Sequence, residues 1–146
     1  MINMNASNIN FKSSIVNNEY YDAAVNASRR ILENPMLGSQ NFTMSTVKAI
    51  NCIKNDNKND VYEFSAKGDR VTIKKNDEVI RTYKDDDRSI GKKMQGAIIE
   101  LTHEVGIFSN KPLTKTEEKV DQLKTEILKA NDQLRKEYVN ILNQIA

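Results

Sequence analysis

Residues 60–87, DVYEFSAKGDRVTIKKNDEVIRTYKDDD, constrain the fold more than any other stretch of the chain. Three short runs rich in Val, Ile, Thr, Tyr and Phe are separated by Gly68-Asp69 and Asn76-Asp77, and each pair suits a two-residue hairpin loop. With the first pair as a loop, Ala66 faces Val71, Phe64 faces Ile73 and Tyr62 faces Lys75. With the second, Ile73 faces Ile80 and Val71 faces Thr82. Both turns then gather Tyr62, Phe64, Ala66, Val71, Ile73 and Ile80 on one face. The opposite face receives Glu63, Arg70, Thr72, Lys74, Val79, Arg81 and Tyr83.

A three-stranded meander with one apolar face must bury that face, and the flanking segments supply helices to cover it. The stretch NNEYYDAAVNASRRILENP reads as a helix capped by Asn18 and stopped at Asn34-Pro35, with Tyr20, Ala24, Ala27 and Ile31 at helical spacing. The stretch INFKSSIV alternates and adds a short strand ahead of it. Residues 43–53 fit two states. Val47, Ile50 and Ile53 suit a helix, whereas the β-branched content and flanking turn residues suit a strand, which is the reading adopted. Residues 88–106 return to helical spacing, with Ile90, Met94, Ala97, Ile98, Leu101 and Val105 as the inward stripe. One of Asp85, Asp86 and Asp87 is the expected N-cap and Gly106 the expected stop.

The last segment carries the longest uninterrupted pattern. Thr114 and Glu117 form a capping box, and Val120, Leu123, Ile127, Ala130, Leu134, Tyr138, Ile141 and Ile145 recur at steps of three and four. One helix through Asn131 would run about 48 Å at 1.5 Å per residue, longer than a domain of this size is wide. Its first half shows a narrow seam with charged flanks; its second half widens by Val139 and Leu142. The expected class is therefore α+β. A small antiparallel β-meander of three to four strands packs on helices within a body spanning residues 1–110, the first eight frayed, and residues 111–146 form a long amphipathic helix on that body or on a partner.

Residues 41–84 hold nine Lys and Arg against six Asp and Glu, so the basic surplus sits in the sheet, while the whole chain carries only +2. Glu100 and His103 give a single E-x-x-H, and a di-metal bundle needs two copies. Asp85–Asp87 lack the alternation and closing glutamate of a calcium loop. Cys52 would need a base beside it to act as a nucleophile, and the sole histidine is at 103 with nothing to place it near; the glycines match no phosphate-binding spacing. No catalytic residue, metal site or cofactor is therefore expected.

Binding is the remaining expectation. The first candidate is a protein-interaction seam at Val120, Leu123 and Ile127, for another protein or for a second copy of the chain. The alternative is a nucleic-acid surface at Arg70, Lys74, Arg81 and Tyr83, where cations would follow phosphates and the tyrosine would stack on a base. A lone cysteine, no apolar run of spanning or signal-peptide length, and a bias toward Asn, Ile and Lys lead to the expectation of a bacterial cytoplasmic protein without membrane contact.

Overall fold

A computed structural model of the 146-residue chain describes residues 12–37, 40–106, 122 and 132–146. In chain order the elements are β1 (Ser14–Ile15), α1 (Glu19–Glu33), a 3-10 turn (Pro35–Leu37), α2 (Gln40–Lys54), β2 (Val61–Lys67), β3 (Arg70–Lys75), β4 (Glu78–Lys84), α3 (Ile90–Val105) and α4 (Asp132–Ile145). The four strands form one mixed sheet in the order β1-β2-β3-β4. Three of them make the antiparallel meander, and β1 joins its edge in parallel with β2. Helices pack on one side of this sheet, so the class is α+β.

The first hairpin has the register read from the sequence: Ala66 opposite Val71, Phe64 opposite Ile73 and Tyr62 opposite Lys75. Gly68 holds φ +62°, which a type II′ turn requires at its first central position. The second turn is also where expected. Asn76 and Asp77 both take positive φ, 52° and 67°, as a type I′ turn demands. Beyond it the expected register fails. Lys74 pairs with Val79, but Ile73 pairs with Arg81 and Val71 with Tyr83. Ile80 is an extra residue, so β4 carries a bulge that reverses the faces of everything after it. Tyr62, Phe64, Val71 and Ile73 are fully buried, and Ile80 and Tyr83 pack partly against the same core.

Helix α1 begins where Asn18 caps it. The Oδ1 of Asn18 accepts hydrogen bonds from the backbone N–H groups of Tyr20 and Tyr21, both at 3.0 Å. Its Nδ2 donates to the Phe64 carbonyl at 3.1 Å, which ties the helix start to β2. The buried face is Tyr21, Ala24, Val25, Ala27, Ser28 and Leu32. It is wider than the expected stripe, and Tyr20 and Ile31 sit only half-buried at its edges. The reason is position: α1 contacts α2, α3, α4 and β2, so more than one side must be apolar.

Residues 43–53 are not a strand. They lie within α2, where Thr43, Met44, Thr46, Val47, Ala49, Ile50 and Ile53 are buried. Those positions follow steps of three and four, and packing on α1, α3 and β1 outweighs the modest helix penalty of β-branched residues. Helix α3 also starts differently from expectation. Its N-cap is Ser89, whose Oγ accepts from the Lys92 N–H at 3.3 Å. The aspartates instead shape the approach. The Asp87 N–H donates to Asp85 Oδ1 at 2.9 Å, and the Ser89 N–H donates to Asp87 Oδ1 at 2.8 Å. Met94, Ala97, Ile98 and Leu101 are buried as expected, whereas Ile90 is exposed and Val105 half-buried. Gly106 ends the helix in the left-handed region, φ 67°.

Gly91 sets the spacing of α1 and α3. A Cβ there would lie 2.7 Å from the Ala27 Cβ and 2.9 Å from the Ala23 carbonyl oxygen. Deeper in the layer, buried Gln95 of α3 donates from Nε2 to Ser28 Oγ of α1 at 3.0 Å and to Thr43 Oγ1 of α2 at 3.3 Å. One amide therefore fixes three helices in register.

Candidate interaction surfaces

The outward face of the sheet is the first surface. Arg70 pairs with Lys84, Thr72 with Thr82 and Lys74 with Val79, so these residues share the side away from the helices. Val79 is 53% exposed there. Arg70 and Lys74 are thus where the sequence placed them. Arg81 and Tyr83 are not: the bulge carries both to the helix side. The Arg81 guanidinium reaches two carboxylates of α3, Glu100 at 2.9 Å and Glu104 at 3.5 Å, and lies 5.5 Å from the centre of the Tyr83 ring. The expected group of four therefore divides into two pairs on opposite faces.

Burial, followed by the charges of Asp85 and Glu100, pushes the Tyr83 hydroxyl up to about 12, with Arg81 acting in the other direction. Glu100, one half of the E-x-x-H, is engaged by Arg81, while His103 is exposed. Two lysines near the edge of the sheet are also engaged within the chain. Lys93 is buried and donates from Nζ to the Gly68 carbonyl at 2.8 Å, clamping the first hairpin turn onto α3. Lys84 stands 3.7 Å from both Asp69 and Asp86. The outward face keeps its basic character through Lys67, Arg70 and Lys74, but the tyrosine expected to stack is behind it.

The C-terminal helix is the second surface. Val120, Leu123 and Ile127 lie outside the described residues, as does the question of continuity through Asn131. What is described is the distal portion, α4, which packs on α1 and α2. Leu142 is fully buried, with Tyr138, Val139 and Ile145 partly buried around it. Arg29 of α1 donates to Asn143 Oδ1 from Nη2 at 2.8 Å and from Nε at 3.2 Å. The Tyr21 hydroxyl donates to the Ile145 carbonyl at 3.4 Å. Ile141, expected on the buried stripe, is instead exposed, because the contact centres on Leu142.

The third feature is a cleft of about 360 Å³ bounded by three helices. Ala27, Arg30 and Ile31 come from α1, Leu37 from the 3-10 turn, Phe42 from α2, and Ser89, Lys92 and Gln95 from the start of α3. Its walls are largely apolar and its polar groups converge from two sides. Met36 and Leu37 beside it are 91% and 60% exposed. Cys52 lies elsewhere on α2, half-buried; burial raises its thiol pKa and Lys48 opposes that effect.

Comparison with protein-family models, with curated proteins and with solved structures finds no match to this chain.

Among the described residues no group of three His, Cys, Asp or Glu is placed to hold a metal ion, and no helix is long and apolar enough to cross a membrane. The cleft residues Arg30, Phe42 and Gln95 went unnoticed in the sequence. Gln95 carried the one available signal, a polar side chain next to Met94 on the apolar stripe of α3. Arg30 and Phe42 gave none, because their proximity depends on how α1 and α2 cross.

Proposed function

We propose that the chain is a non-enzymatic protein-interaction module acting through its C-terminal helical segment. The supporting observation is the docking of α4 by one face, centred on buried Leu142, against α1 and α2. That docking gives the apolar spacing of the segment a concrete meaning: residues at those steps seek another surface. The same spacing continues upstream in the sequence through Ile127, Leu123 and Val120, where it narrows to a seam flanked by charge. A narrow seam of this kind suits a second helix, from another protein or from a second copy of the chain. Each apolar side chain buried there would contribute roughly 1.5–3 kcal/mol.

Sedimentation of the full chain, alone and with captured partners, tests the reading. Association should be lost in a Leu123→Glu, Ile127→Glu double variant whose thermal melt is unchanged. A wild-type monomer that captures no partner would defeat it.

A second reading rests on the basic outward sheet face. Lys67, Arg70 and Lys74 on adjoining strands would bind a phosphate backbone by charge alone, since Tyr83 stands on the opposite face. Fluorescence anisotropy with short RNA and DNA should then show affinity falling steeply with salt. Absence of binding at low salt removes this reading.

A further inference from the structure

We infer that the cleft between α1, α2 and α3 is a binding site for a small organic acid with an apolar body and a polar group at its far end. The site is separate from the C-terminal seam and stands or falls independently of it. Three observations carry the assignment.

The first is charge. Arg30 and Lys92 border the cleft from α1 and α3. Among the described residues the Arg30 side chain has neither an ion pair nor a hydrogen bond. Its place in the last turn of α1 suits the helix dipole, yet no carboxylate of the described residues pairs with it. Lys92 has Asp87 at 3.6 Å, an exposed pair that water screens and an incoming anion can outcompete. The cleft also opens at the positive end of α3, beside its cap Ser89. An anionic group is the natural complement at this mouth.

The second is the lining. Ala27, Ile31, Leu37 and Phe42 line the same cleft with apolar surface. A free inorganic anion would leave that surface unused, whereas a hydrocarbon chain or ring would cover it. The volume of about 360 Å³ suits a small molecule and lies at the low end of ordinary ligand pockets.

The third is Gln95. It is 1% exposed, and it lines the cleft. Its Nε2 is taken by Ser28 and Thr43, while its Oε1 has no hydrogen-bond partner among the described residues. The two hydroxyls can accept or donate, so the amide can turn over. In either orientation one polar atom of the amide has no protein partner among the described residues; it is not one of the atoms sealed from solvent without one, so it reaches the accessible space of the cleft that Gln95 lines. A hydroxyl on the far end of the ligand, able to donate or accept, would complete it.

The test is an amide-resolved NMR titration of the full chain with 4-hydroxyphenylacetate, phenylacetate, hexanoate and indole-3-acetate, with 4-hydroxyphenylacetamide and inorganic phosphate as controls. At least one acid should give saturable shifts centred on Arg30, Lys92 and Gln95. The uncharged amide should bind about tenfold more weakly, and Arg30→Gln should weaken the acid by a similar factor. Arg30 is exposed, so that variant keeps the fold. Gln95→Met should erase any preference for the hydroxylated acid over phenylacetate. No saturable shift with any acid overturns the assignment. So does equal binding of the neutral amide, and so does phosphate reproducing the same shifts at the same affinity.

Discussion

Arg81 Nη2 lies 2.9 Å from Glu100 Oε1, a contact between β4 and α3 that exists because Ile80 is an extra residue in its strand. Without that bulge the guanidinium would point away from the helices. The pairing with Glu100 and Glu104 turns a residue with the look of a surface binder into a clamp between sheet and helix layer.

Replacing Arg81 with Ala removes this clamp and the packing of its aliphatic stem. The side chain is 39% exposed, so solvent screening keeps the loss to about 1 kcal/mol. Arg70→Ala and Lys74→Ala, on the outward face, should each change stability by about 0.5 kcal/mol or less. Urea unfolding of the three variants compares them directly. Equal losses would mean that Arg81 stands with the other two.

The two glycines of α3 should respond in opposite directions. Gly91→Ala forces α1 and α3 apart against the Ala27 Cβ and the Ala23 carbonyl, at a cost of about 1–3 kcal/mol despite the better helix propensity of alanine. At Gly96 the nearest atom to a new Cβ is Phe42 Cζ at 3.8 Å, an ordinary contact. Gly96→Ala should therefore stabilise by about 0.5–1 kcal/mol. Calorimetric melting temperatures should move down for the first and up for the second.

Neighbouring residues of α4 should separate as sharply. Leu142→Ala opens a cavity against α1 and α2 and should cost about 2–5 kcal/mol. Ile141→Ala, on the exposed side, should cost about 1 kcal/mol or less. If both variants melt alike, the helix docks by a different face.

Alkaline pH should unfold the protein from within. Burial pushes the hydroxyls of Tyr21, Tyr62 and Tyr83 up to about 12, with help from the carboxylates of Asp22, Asp60 and Asp85 respectively. Below about pH 10 both the folded and the unfolded chain keep these protons, and the contribution to stability is constant. Above it the unfolded chain ionises first, so stability falls as pH rises from about 10 toward 12. Urea midpoints across this range should decline, and Tyr62→Phe should make the decline shallower. A flat profile would contradict the burial of these hydroxyls.

Much of this fold is written locally. Gly68-Asp69 and Asn76-Asp77 specify their turns through backbone conformations few other residues tolerate, and Asn18 and Gly106 mark helix ends for the same kind of reason. The bulge left no such mark. Val79 and Ile80 are adjacent and both apolar, so either could face inward, and the pattern alone favoured the simpler ladder. The choice is made by α3, whose Glu100 and Glu104 receive Arg81 once the register shifts. Residues 43–53 show the same limit from another side: β-branched side chains sit in a helix because α1, α3, α4 and β1 bury them.

The sequence by itself determined a hairpin pair with one apolar face, helices on either side of it, and an amphipathic C-terminal segment, because alternation, turn residues and caps act over a few positions. Tertiary structure decided which way Arg81 and Tyr83 point, that α2 is a helix, and that Arg30, Phe42 and Gln95 meet around one cleft. These outcomes depend on contacts between residues far apart in the chain, where local preferences are weak and the packing of whole elements sets the balance.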